Sequence, residues 1–186
     1  MIKAQVRGKY KALSRQELLD KAYELGYNCE INSQNCCQCT VATFHELLGI
    51  DDVVVRVATS NEGGQADQVI GTCGGLIGGT MVLDYFFGRP VEYVSFHKHV
   101  KANMKRAEDA VQVAKLLYDK YINEYGTILC PHLQVQLFGR HYYPVDPDDL
   151  AKFEKAGSHE DKCPSIVGRA ARWVMEILLD KGAVEL

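Results

Sequence analysis

No run of about 18 consecutive apolar residues occurs in this chain of 186 residues, so a membrane-spanning helix is not expected. A basic surplus is also missing. The 21 Lys and Arg face 24 Asp and Glu for a formal net charge of −3, and without a basic field nucleic acid is not an expected partner. Residues Met1 to Lys11 are polar and basic and lack an apolar h-region, which gives the expectation of a cytoplasmic protein. There is no Cys-x-x-Cys-His haem-attachment motif, P-loop, Rossmann glycine fingerprint or Ser-His-Asp set. Asp146-Pro147-Asp148-Asp149 lacks EF-hand spacing and reads as a turn with an N-cap. With five prolines and no low-complexity linker or fixed-period repeat, the chain reads as one domain, residues 14–186, preceded by an exposed arm, residues 1–13.

What is present is a globular composition, 47% hydrophobic and 24% charged, with helical period almost throughout. Ser14 and Glu17 form a capping box ahead of the stripe Leu18, Leu19, Ala22, Tyr23 and Leu25, and Gly26 reads as the stop. A second helix is expected from Gln34 to Leu48, ended by Gly49. The β-branched run Asp52 to Ala58 reads equally as a strand or a helix start. Gly63-Gly64-Gln65 reads as the opening of a helix that continues through Cys73 to Phe87. Its internal glycines, at about 1 kcal/mol each relative to alanine, call for close approach of a backbone or a bulky ligand. Further helices are expected over Lys101–Tyr125, His132–Phe138, Asp148–Lys155 and from Pro164 to about Lys181. The fold class is all-α, a single-domain helical bundle of about five to seven helices.

The chain is rich in one chemically active residue. Seven cysteines are present, three of them in Cys36-Cys37-Gln38-Cys39, with Cys29, Cys73, Cys130 and Cys163 standing alone. In a reducing compartment such a density points to metal ligands or redox centres rather than structural disulfides. Cys36 lies near a helix start, and Cys130 and Cys163 each precede a proline that opens a helix. The positive end of the helix dipole there is expected to favour thiolate, the form that binds metal and attacks. Zinc-finger spacing is missing: after Cys36 and Cys39 no second close pair follows, so a shared site has to be assembled from separate helices.

The stretches Asn35-Cys36-Cys37-Gln38-Cys39, Cys73-Gly74-Gly75-Leu76-Ile77-Gly78, Gly126-Thr127-Ile128-Leu129-Cys130, Leu137-Phe138-Gly139-Arg140 and Asp161-Lys162-Cys163-Pro164-Ser165 to Trp173 resemble the redox-active protein family named for its C_GCAxxG_C_C cysteine pattern. The resemblance covers about residues 15–181 and places the family's four cysteines on Cys36, Cys73, Cys130 and Cys163. Cys37 and Cys39 stand at alanine positions, Gly75 stands at the motif's alanine, and Cys29 has no counterpart. A similar domain forms part of split-Soret cytochromes, which are dimeric and hold haem and an iron–sulfur centre. That similarity implies an iron–sulfur cluster, with 2Fe–2S favoured, on those four cysteines, a homodimer, and electron exchange with a redox partner protein. The haem is not implied, since its attachment motif is missing.

On this reading Gly74, Gly75 and Gly78 are cofactor-binding, leaving space and amide N–H groups beside the centre. Cys37, Cys39 and His132 are candidate extra ligands. The alternative is a cluster-free thiol–disulfide or metal-binding protein using Cys36 and Cys39; a purely structural or partner-binding bundle is the third reading. His97, His99, His141 and His159 are expected in loops, Trp173 in the core, and Arg140 and Arg169 in structural ion pairs or helix-capping bonds.

Overall fold

Ser14 opens the first helix by accepting the Glu17 amide on its hydroxyl while its own amide donates to the Glu17 carboxylate at 2.8 Å, the capping box expected from sequence. In a computed structural model describing residues 1–186, eight α-helices follow in order. They are α1 (Arg15–Ser33), α2 (Cys36–Leu48), α3 (Asp52–Val57), α4 (Gly74–Phe87), α5 (Lys101–Tyr125), α6 (Cys130–Phe138), α7 (Pro147–Lys155) and α8 (Cys163–Asp180). Left-handed glycines end α2, α5 and α6, namely Gly49, Gly126 and Gly139. The fold is all-α, as expected. Two-residue segments β1 (Ala4–Gln5) and β2 (Val184–Glu185) are its only strands, paired in parallel.

Helix α8 is the central element, packed against α1, α2, α4 and α5. Its residues Val167, Ala170, Ala171, Val174, Met175 and Leu178 are fully buried. They recur at helical spacing on one side of a helix that is polar elsewhere, so the core follows from the period of the sequence.

Three expectations are corrected. Gly26 does not end α1; the helix runs on to Ser33, because Gly26 is where α8 crosses. A Cβ at Gly26 would lie 3.1 Å from Ala171 Cβ and 3.1 Å from the Val167 carbonyl, and one at Gly168 would lie 2.9 Å from the Tyr23 carbonyl. The glycines thus bring two helices into backbone contact. Residues 63–72 are not helical: Gly63, Gly64, Gln65, Ala66, Asp67 and Val69 all take positive φ, and α4 begins only at Gly74. Such a conformation is costly for Gln65, Ala66, Asp67 and above all β-branched Val69. The residues before Ser14 are not a free arm either. Ile2, Ala4 and Arg7 donate backbone hydrogen bonds to Phe86, Ala183 and Leu47 at 2.8–2.9 Å, and Val6 is buried. The ambiguous Asp52–Val57 run is helical.

Replacing Gly168 with alanine separates two effects. Helix propensity alone favours the variant by about 1 kcal/mol. Overpacking against Tyr23 costs about 1–3 kcal/mol, so the net effect is a loss of up to about 2 kcal/mol. Urea unfolding midpoints of wild type and Gly168→Ala measure the sign.

Candidate functional site

The four widely separated cysteines each stand at the N-terminus of a different helix. Cys36, Cys130 and Cys163 are the first residues of α2, α6 and α8, and Cys73 is the N-cap of α4. Asn35 starts α2 by accepting the Gln38 amide at 2.9 Å, and Pro131 and Pro164 open α6 and α8. Cys73 and Cys130 are held side by side by an antiparallel bridge. The Cys73 amide donates to Ile128 at 2.8 Å and the Cys130 amide to Gly71 at 2.9 Å.

All four line one cavity of about 70 Å³, together with Glu30, Glu62, Asp67, Gln134, His159 and apolar side chains of α6, α7 and α8. A buried water needs roughly 10–15 Å³ by this measure, so the space accommodates a few heavy atoms. No three His, Cys, Asp or Glu side chains close to the spacing of ligands around a single ion. The glycines divide between two tasks. Gly74 lines the cavity, where a Cβ would collide with the Cys36 sulfur, whereas a Cβ at Gly78 would collide with the Cys37 carbonyl and sit against Thr40 on α2. Gly75 faces the Tyr121 hydroxyl, 2.8 Å from where its Cβ would lie.

Burial outweighs the helix dipoles in setting the thiols. It pushes Cys36, Cys73 and Cys163 up, and Cys130 to about 12. Charge on neighbouring cysteines adds to this at Cys36, Cys130 and Cys163. The Gly75 and Leu76 amides at the start of α4 act in the opposite direction on Cys73. The expectation that the helix starts lower these pKa values is therefore not met: the protons stay on until something better replaces them. The acids follow the same rule. Burial raises Glu30 to about 8, and burial with Asp67 nearby raises Glu62 to about 7. Burial also lowers His159 and keeps it neutral.

Three buried side-chain atoms in the chain lack a hydrogen-bond partner: Glu30 Oε2, Tyr121 Oη and Tyr125 Oη. Each such atom costs about 1–3 kcal/mol, and all three belong to residues grouped around the cysteines. Glu30 lines the cavity. The Tyr121 hydroxyl has no partner of acceptable geometry, yet it is near enough to Cys73 for each to perturb the other's ionisation. Cys130 differs in having a donor in place: Gln134 Nε2 lies 3.7 Å from its sulfur, while Gln134 Oε1 accepts the Tyr142 amide at 2.7 Å.

The other cysteines do not reach the cavity. Cys37 is buried with its sulfur 3.9 Å from that of Met81. Cys39 is turned toward Cys29 on α1, so Cys36 and Cys39 point to different places despite their Cys-x-x-Cys spacing. The Cys39 thiol beside Cys29 draws Cys29 down to about 7, with burial opposing and Ser33 assisting. His132 is exposed and pairs with the Thr127 hydroxyl at 3.3 Å. Arg140 and Arg169 form ion pairs with Asp149 and Glu124.

Sequence reasoning missed Glu30, Glu62, Asp67, Gln134 and His159. For Glu30 the signal was there. Leu19, Ala22, Gly26 and Glu30 continue one buried stripe, and Glu30 is only 2% exposed. Ending α1 at Gly26 hid a carboxyl on the core side of the helix.

Two outcomes follow. At pH 7.5, limited iodoacetamide should modify Cys29 first and leave Cys36, Cys73, Cys130 and Cys163 largely unmodified, as read by peptide mass spectrometry. Glu30→Gln should stabilise the ligand-free protein. Because the folded-state value of Glu30 is raised, its cost is nil below about 4.5, grows as pH rises towards 8 and then stays, at about 1.4 kcal/mol per unit of displacement. The gain from Glu30→Gln in urea unfolding is thus expected at pH 8 and should vanish near pH 4; equal gains at both would contradict it.

Comparison with known proteins returns no match among curated proteins and none among solved structures. One family profile matches, described as "Putative redox-active protein (C_GCAxxG_C_C)", over residues 34–177. That span covers most of the chain and all four cysteines at the helix starts, so this protein belongs to the C_GCAxxG_C_C family of redox-active proteins.

Proposed function

We propose that the protein binds an iron–sulfur cluster through Cys36, Cys73, Cys130 and Cys163 and exchanges electrons with a partner protein. The observation that carries this is the meeting of four cysteine-bearing helix starts at one small cavity. Four thiols with no imidazole among the favoured donors suit iron–sulfur ligation, and the cavity suits a group of a few atoms.

A bound cluster would supply one-electron chemistry. The chain's own residues bind, shield and balance charge. Each thiol must give up its proton on binding, and neutral His159 at the cavity wall is an acceptor within the same lining. The N-termini of α2, α4, α6 and α8 direct positive potential at the anionic thiolates that result. Phe153, Leu133, Ile166 and Val167 make part of the cavity lining apolar, which makes each of these interactions stronger. Gln134 steadies Cys130.

The resemblance to the iron–sulfur part of split-Soret cytochromes extends the proposal to a 2Fe–2S cluster and a homodimer, and the seven free cysteines suit a reducing, cytoplasmic setting. No helix is long and apolar enough to cross a membrane. A second reading, thiol–disulfide chemistry without a cluster, is favoured by one observation: the neighbouring Cys29 and Cys39 thiols, with Cys29 drawn toward ionisation at neutral pH. That pair, not Cys36 with Cys39, is where such chemistry would lie.

Anaerobic purification or reconstitution should give stoichiometric iron and sulfide with a visible charge-transfer spectrum. Cys73→Ala should lose most of both, while Cys37→Ser and Cys39→Ser keep them. Loading should rise with pH between about 6.5 and 8.5, because the buried thiols must deprotonate. Wild type that carries neither iron nor sulfide under these conditions contradicts the proposal; activity lost in Cys39→Ser with the cluster intact favours the second reading.

A further inference from the structure

We propose that the Tyr121 hydroxyl donates a hydrogen bond to the Cys73 sulfur of the bound centre and thereby raises its reduction potential. The inference rests on the reading of Cys73 as a cluster ligand and goes beyond it in assigning a tuning role to a residue on α5.

The geometry comes from Gly75. A Cβ there would lie 2.8 Å from the Tyr121 hydroxyl oxygen and 3.7 Å from the Cys73 sulfur, so hydroxyl and sulfur flank the same small space. Tyr121 is fully buried and its hydroxyl has no other partner. The ring cannot swing the hydroxyl elsewhere. It packs edge-on against Trp173 at 5.4 Å between centroids and tilted against Tyr125 at 5.6 Å. A neutral thiol is a weak acceptor, which leaves the hydroxyl poorly satisfied in the ligand-free protein. A metal-bound thiolate is a charged acceptor, and hydrogen bonds to charged groups are shorter and roughly twice as strong. Electron uptake adds negative charge to the centre, so the donor stabilises the reduced form more than the oxidised one. Residue 75 controls access: any side chain there presses on the hydroxyl.

The test uses the full chain, loaded anaerobically with iron and sulfide, in wild type, Tyr121→Phe and Tyr125→Phe. All three should bind equal iron and sulfide. The midpoint potential of Tyr121→Phe should fall by about a tenfold change in the oxidised-to-reduced ratio, which is ~59 mV for one electron. Tyr125→Phe, equally deprived of a buried hydroxyl, should leave the potential in place. Site-specific replacement of Tyr121 by 3-fluorotyrosine, a stronger donor of nearly the same shape, should shift the potential upward, and it decides the matter if Tyr121→Phe loads poorly. Equal potentials in Tyr121→Phe and wild type, or a fluorinated variant that is unmoved or lowered, overturn the proposal and leave the cluster reading intact. Wild type that takes up no iron and sulfide overturns both.

Discussion

The site depends on a single electrostatic constraint: four thiols share one small, partly apolar cavity, where negative charge on sulfur, which the proposed function requires, is disfavoured. Burial alone holds the thiols protonated. The fold counters it with the positive ends of four helices and with the amides at the start of α4. Each helix end contributes the equivalent of about half a positive charge, effective only within its first turn. That short range is why the cysteines sit on the helix starts themselves and not one turn further in.

Bringing four helix starts to one point requires helices that approach closely, and small residues meet that need. Gly26 and Gly168 let α1 cross α8 at backbone contact, and Gly74 and Gly78 do the same for α4 on α2. The bridge at residues 71–73 and 128–130 then fixes Cys73 against Cys130 through backbone hydrogen bonds. The glycines of the expected helix thus act mostly through packing: of Gly74, Gly75 and Gly78 only Gly74 lines the cavity, and Gly63 joins it from the preceding loop.

Much of this was legible in the sequence. Capping residues, terminal glycines and helical period located α2, α5, α6, α7 and α8 closely, and the cysteine contexts selected the four that share the cavity. What was not legible has physical causes. Gly26 reads as a stop when a partner helix is unknown, and its loss as a stop exposes Glu30 as a cavity residue. The left-handed run from Gly63 to Asp67 includes Gln65 and Ala66, held against their own preferences in a loop closed by local backbone hydrogen bonds such as Ala66 to Ser60 and Val69 to Gly63. Glu62 and Asp67 reach the cavity from a loop, and His159, expected in a loop, from the π-helical turn Ser158–Lys162; neither segment carries the α-helical period that marks an inward face.

Two kinds of cysteine therefore coexist. Four line one cavity and have thiols pushed up by burial; Cys29, beside Cys39 on the neighbouring helix, is drawn the other way by that neighbour. The centre and the pair are separable by location, which one measurement can use. An iron-edge anomalous difference map from crystals grown and frozen anaerobically after loading should show iron inside the cavity bounded by Cys36, Cys73, Cys130 and Cys163. Iron bound at Cys29 and Cys39 instead, or no iron in the cavity of a loaded, folded protein, would contradict the account.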